Sequence, residues 1–257
     1  MKLLRTNSLD DIRLEKWRWS KFMKLTIETL STFDLKESPM KDEFLFKESD
    51  FKSKKDSFKV YTQTWACRTI KLKQARAACV FGDGIISVMN LVLSPSNKFE
   101  LPFFGADFVS LPKGYLLALD LQPVLNDDKR HTDFVWDKLI PLHAYWQAKL
   151  PEGGEIPPSA RKYFSPGFLW TRLPLGIESD RLVDQVLFQA YKEYLNLYIS
   201  LVNEAEKVDI DRANTLSKGQ RDYFLYRAMN DPARGMLTRF YGKEWTESYI
   251  HNVLFKM

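Results

Sequence analysis

From Leu14 to Leu30 the stretch LEKWRWSKFMKLTIETL repeats its apolar side chains at three- and four-residue intervals. That period predicts an amphipathic first helix. Residues 34–58 are polar, rich in lysine and without a period, and read as a loop. The rhythm then changes. Residues 60–72, 75–81 and 85–93 are dense in branched and aromatic residues and predict strands, with a hairpin turn at the GDG of 82–84. SPSNK (94–98) is a second turn, and GADFVSL and GYLLALDLQ, joined by PKG, supply two more strands. Sequential strands with such short links run antiparallel.

Beyond Pro123 the character changes again. Asp133–Lys149 predicts a helix interrupted at Pro141, residues 151–160 a loop, and residues 163–175 a bent strand among aromatics and prolines. Leu182–Val208, Arg212–Met229 and residues 244–255 predict three further helices. A helix, a meander of strands and then mostly helices predict one antiparallel sheet with helices packed on it. No internal repeat or low-complexity tract divides the chain.

Composition narrows this picture. The chain has 257 residues, 45% hydrophobic and 14% aromatic, enough for one sizeable core. Its net charge is +5, with the basic residues spread along the chain, which suits acidic partners or anionic ligands. The densest basic run, FKSKKDSFK (51–59), reads as a solvated loop. Cys67 and Cys79 form no CxxC, and His131, His143 and His251 show no ligand spacing, so neither a disulfide framework nor a metal site is expected. No apolar run approaches the roughly 18 residues that span a bilayer. The first residues carry acids early and do not read as a secretory signal, so a soluble intracellular protein is expected.

Nucleotide fingerprints, a Walker loop and GxSxG are all absent. What remains is a set of carboxylates and arginines in aromatic surroundings. Asp107 lies in FFGADF, Asp231 in RAMNDPARGML with Arg227 one helical turn before it, Arg172 in FLWTRLP, Arg76 in ARAACVF and Asn90 in VMNLVL. Each has a structural reading beside the functional one. Asp231-Pro232 is a good helix start, Asp107 after Gly105 fits a turn, Arg227 fits an ion pair with Asp231 on one helix face, Arg172 fits a surface position, and Asn90 fits an edge amide.

LPFFGADFVSLPKGYLLALDLQP (101–123), FSPGFLWTRLPLG (164–176) and DPARGMLTRFYGKEWTESYIHNVLF (231–255) together resemble the ferredoxin-dependent bilin reductases, over a span from about Trp17 to the C-terminus. TQTWACRTIKLKQARAACV (62–80) and HTDFVWDKLIPL (131–142) further resemble the branch that forms phycoerythrobilin. The resemblance implies a three-layer α/β/α sandwich with a central antiparallel sheet, as one domain over residues 1–257. It implies an oxidoreductase acting on CH–CH groups, which reduces the A-ring diene system of 15,16-dihydrobiliverdin to phycoerythrobilin in phycobilin synthesis. Two electrons would come from an external [2Fe-2S] ferredoxin through radical steps, with no cofactor bound by the reductase itself. Asp107 matches the family's sheet-side aspartate, Asp231 its helix-side aspartate and Arg227 a functional arginine. Asn90 stands where phycocyanobilin-forming relatives carry histidine, which argues against that reaction here. Arg172 and Arg76 are the candidates to grip the substrate's propionates, because a guanidinium forks onto a carboxylate.

The setting implied is a cyanobacterial cytoplasm or an algal plastid stroma. The expected partners are ferredoxin and an upstream bilin reductase that hands over substrate, with no nucleic acid or membrane and a monomeric state. A sibling reductase acting on biliverdin and a bilin carrier without turnover are the alternatives weighed. Nucleic-acid binding, suggested by the charge and the 7 tryptophans, is disfavoured because those tryptophans fall at core spacing.

Overall fold

The computed structural model describes residues 17–52 and 57–256. The chain runs α1 (Ser20–Leu30), β1 (Lys36–Glu37), α2 (Asp42–Leu45), β2 (Phe46–Lys52), β3 (Ser57–Arg68), β4 (Leu72–Gly82), β5 (Ile86–Pro95), β6 (Phe103–Leu111) and β7 (Gly114–Gln122). There follow α3 (Lys129–Gln147), α4 (Pro158–Arg161), β8 (Leu169–Leu173), α5 (Ile177–Arg181) and α6 (Phe188–Glu204), with a π-helical stretch over Leu182–Leu187 between the last two. α7 (Ile210–Met229), α8 (Arg234–Tyr241), α9 (Lys243–Tyr249) and a π-helical turn over Ile250–Leu254 complete the chain.

The sheet order is β1-β3-β4-β5-β6-β7-β8, with β2 also paired to β3, and every pairing is antiparallel. The hairpin between β4 and β5 turns on Asp83 and Gly84, at φ 40° and 80°. Positive φ at both positions gives a turn whose twist matches the strands it joins.

Alternation along each strand sorts its residues between two faces. In β6, Phe104, Ala106 and Phe108 face a large core shared with α1, α3 and α6, where the Phe108 ring lies 5.1 Å from Phe22 and 5.7 Å from Tyr191. Phe103, Gly105, Asp107 and Val109 face the other way, toward α7–α9, and Phe103 stacks on Tyr223 at 4.7 Å. Helices therefore cover both faces of the sheet, giving the expected α/β/α sandwich.

The helices of the second face are held by polar bonds as well as by packing. Tyr249 and Thr64 share a hydroxyl hydrogen bond of 2.6 Å, and Tyr241 and Thr62 one of 2.8 Å. At the start of α7, Arg212 donates to Glu100 at 2.6 and 2.9 Å and to Asp128 at 2.5 Å. His131 accepts the Val124 N–H on Nε2, so its Nδ1 carries the proton and donates to Glu100 at 2.6 Å. This half-buried network fixes where α7 starts, and so where its far end, with Arg227, arrives.

Several expectations are corrected. The loop expected over 34–58 contains β1, α2 and β2. β2 alternates exposed and half-buried positions with no fully buried face, so its sequence carries no apolar signal. Lys54 and Lys55 of the basic run lie outside the described residues, whereas Lys52 and Lys59 are in strands. Residues 14–16 of the first predicted helix also lie outside them. α3 runs through Pro141 without a break, because the proline and Asp137, whose carbonyl it frees, are on the exposed side of the helix. The long helix ends at Glu204, not Val208, since Val208 N–H is bonded to Lys98 O. Among the described residues no helix is long and apolar enough to cross a membrane.

Candidate active site

Direct cross-strand pairs line up Thr64, Ala78, Asn90, Asp107, Ala118 and Trp170 in one row across the second face of the sheet. The small side chains in that row leave space under α7–α9. Two adjoining cavities of about 620 and 480 Å³ fill it, and Asn90, Asp107, Ala118, Trp170, Arg172 and Pro232 belong to the walls of both. Volumes of this size suit a ligand as large as a drug or cofactor.

Asp107 is therefore neither at a turn nor on the surface. It stands in the middle of a central strand where the two cavities meet. Burial raises its pKa above the ordinary carboxylate value. The Arg227 guanidinium and a hydrogen bond from the Asn90 amide oppose that shift, Asp231 adds to it, and Arg76 opposes it. Asn90 is likewise central: its backbone pairs directly with Asp107, and the edge-amide reading does not apply.

Asp231 reaches the site from the opposite layer. α7 ends at Met229, so Arg227 and Asp231 do not share a continuous helix face. Asp231 instead sits in the bend before α8, where one carboxylate oxygen accepts the Ala233 N–H at 2.8 Å. The helix-start reading does not hold, because α8 begins at Arg234 with Ala233 as its N-cap; Asp231 closes the turn ahead of it and also lines the larger cavity. Arg227 lines the smaller one, with its guanidinium 5.6 Å from the Phe255 ring. Burial disfavours its charge, but Tyr223, Asp107 and Asp231 outweigh that and leave its pKa raised.

The two remaining arginines differ in setting. Arg172 is exposed at the mouth of both cavities, 5.1 Å from the Trp170 ring centre. Arg76 is 1% exposed and is turned onto protein groups. It donates to the Asn90 side-chain oxygen at 2.6 Å, to Asn90 O at 3.1 Å and to Leu254 O at 3.2 Å.

Sequence reasoning passed over Asp120, Trp170 and Tyr223, which line the smaller cavity. The period-two rule offers a signal for two of them: Asp120 follows Ala118, and Trp170 precedes Arg172, at the spacing of one strand face. Asp120 is buried opposite Gly105 and accepts hydrogen bonds from the Ser165 hydroxyl and from Ser165 N–H at 3.0 Å. Among the described residues no group of three or more His, Cys, Asp or Glu is placed to hold a metal, and both cysteines are free and buried. Chemically, the arrangement is a largely apolar cavity with one acid on its floor, a second on its roof and a half-buried guanidinium that feels the charge of both.

A family model described as ferredoxin-dependent bilin reductase matches residues 23–256. A phycoerythrobilin:ferredoxin oxidoreductase of Prochlorococcus marinus (strain MIT 9211) is 54% identical over 257 residues, 100% of each chain. Its counterpart in Parasynechococcus marenigrum (strain WH8102) is 54% identical over 254 residues, covering 99% of this chain and 97% of that one. Among solved structures, phytochromobilin synthase from tomato in complex with biliverdin matches with a TM-score of 0.82 at 26% identity, covering 92% of this chain and 82% of that one.

Proposed function

The chain belongs to the ferredoxin-dependent bilin reductases, oxidoreductases that here serve phycobilin synthesis, and from that premise we propose that it converts 15,16-dihydrobiliverdin to phycoerythrobilin. The A-ring diene system gains two electrons and two protons, and two reduced ferredoxins are oxidised. Electrons arriving singly require a bilin radical between the two transfers. The protein's tasks are then to hold the pigment, exclude water and deliver protons.

Asp107 and Asp231 are the proton donors in this reading, and the observation that carries it is the position of Asp107. An ordinary aspartate is ionised at neutral pH and a poor acid. Burial on the floor of an apolar slot favours its protonated form. A reduced bilin lying along the sheet has this acid on one face and Asp231 on the other. Arg227 counters the negative charge that the first electron adds. Arg172, at the rim, suits a propionate, and Trp170 beside it supplies a flat wall. Ferredoxin docks from outside, and an upstream reductase supplies the dihydro substrate.

The test is an anaerobic assay with reduced ferredoxin, run separately on biliverdin and on 15,16-dihydrobiliverdin, with products identified by absorption and chromatography. Phycoerythrobilin from the dihydro compound alone is the expected result. Consumption of biliverdin instead refutes the substrate assignment, and binding of both without turnover refutes catalysis.

A further inference from the structure

Arg76 is a buried cation that the reading above leaves without a task. It offers only hydrogen-bond donors. The Asn90 side-chain atom 2.6 Å from its Nη1 must therefore be the amide oxygen, and the amide nitrogen is left facing Asp107. The orientation of an asparagine amide is thus set here by chemistry. That amide nitrogen donates and cannot accept. When Asp107 is protonated, its acidic hydrogen cannot point at Asn90, nor at the guanidinium of Arg76 or Arg227. The acceptors left all line or fill the two cavities: whatever occupies them, the Asp231 and Asp120 carboxylates, and the Tyr223 and Tyr249 hydroxyl oxygens.

We propose that Arg76 is a positioning residue for proton transfer: by locking the Asn90 amide it turns the acidic hydrogen of Asp107 into the cavity. This rests on Asp107 being a proton donor. Three further features fit the role. Arg76 is 1% exposed, on the same face of the sheet as the row of Asn90 and Asp107. Its Nη2 holds the Leu254 carbonyl, tying the last helical turn to the floor of the site. Its Nε has no hydrogen-bond partner among the described residues, so a purely structural arginine is incompletely satisfied here.

The charged and titratable groups that act on Asp107 are Arg76 from β4, Tyr223 and Arg227 from α7 and Asp231 from the bend before α8, and Asp120 from β7, Arg172 from β8 and Tyr249 from α9 share the cavity walls with it. Loss of Arg76 removes one cation and frees the Asn90 amide to rotate. Both changes remove influences that favour ionised Asp107, so its protonated form persists to higher pH while its hydrogen loses direction.

The experiment is single turnover with photoreduced ferredoxin, on whichever bilin the parent enzyme consumes, following decay of the bilin radical against pH. Bilin binding is titrated in parallel by absorption. Arg76→Met is expected to bind bilin, to slow radical decay about tenfold or more, and to move the alkaline limb of the decay rate up by about one pH unit. Arg76→Lys, which still donates to Asn90, is expected to restore both. Parental decay and an unmoved limb in Arg76→Met overturn the proposal, as does a lysine variant as impaired as the methionine one. If Arg76→Met does not fold, Asn90→Leu decides: slower decay with the raised limb supports the proposal, and an unmoved limb overturns it. Asp107→Asn separates the two levels, because parental decay in that variant refutes the donor assignment itself, whereas a stalled Asp107→Asn beside an unaffected Arg76→Met refutes only the role of Arg76.

Discussion

Replacing Asp120 with asparagine should flatten the dependence of stability on pH. Asp120 is 1% exposed, and its hydrogen bonds come from Ser165 rather than from a cation. Burial pushes its pKa from the ordinary 3.8 up to about 7, against the pull of those hydrogen bonds. The sign follows from proton counting. Between the two values the folded protein holds a proton that the unfolded chain has lost, so the stabilisation is full below the unfolded pKa and disappears as pH rises through about 7. The span corresponds to about 4 kcal/mol at most, of which roughly 2.5 kcal/mol is lost between about pH 5 and pH 8. Asparagine keeps the shape but not the titration. Its NH₂ takes the place of the O–H that the protonated acid presents to the Ser165 hydroxyl oxygen, while its carbonyl still accepts the Ser165 N–H. Urea unfolding followed by tryptophan fluorescence at several pH values measures the pH dependence. The variant should lie near the parent at pH 5 and fall less by pH 8. Equal losses over that interval would show that Asp120 is not a buried, protonated acid.

Asp107→Asn and Asp231→Asn should each retain bilin binding, since asparagine can still accept the Asn90 or Ala233 donor; kcat should fall about 10²–10⁴-fold with a long-lived radical, and parental turnover in both would refute the proton-donor assignment. Gly153→Ala would set a Cβ 2.3 Å from the Trp170 indole, so the wall of both cavities must shift. Bilin affinity should drop about tenfold and stability by about 1–3 kcal/mol, read by absorption titration and urea unfolding, with no change in either contradicting the assigned packing. With a net charge of +5 the enzyme should attract an acidic ferredoxin, so the apparent KM for ferredoxin should rise with added salt; a flat profile counts against electrostatic docking.

Much of the fold is written locally. The strands from residue 60 to residue 122 are legible because branched and aromatic side chains crowd them, most of them entering a core on one face or the other, and the Asp83-Gly84 turn is legible because its residues tolerate positive φ. β2 is hidden because its strand pairing rests on backbone bonds, which leave no apolar pattern. Pro141 misleads because a proline's cost depends on whether water reaches the freed carbonyl, and that depends on which side of the helix is packed.

The site divides along the same line. Asp107, Asp231, Arg227 and Asn90 are legible as polar residues in apolar or motif-bearing stretches. By itself the sequence determined the apolar-patterned strands and helices, their assembly as an antiparallel sheet carrying helices, and which chemistry is on offer, but not β1, α2 and β2. Tertiary structure alone decides that the Asn90 and Asp107 backbones pair directly, that Asp231 comes to the site from a bend rather than a helix face, and that Arg76 grips Asn90 and Leu254 while Arg172 stays at the rim. The reason is physical: periodicity records only whether a side chain is buried, whereas the partner it meets there, and hence its charge state and direction, depends on register and layer contacts between residues far apart in the chain.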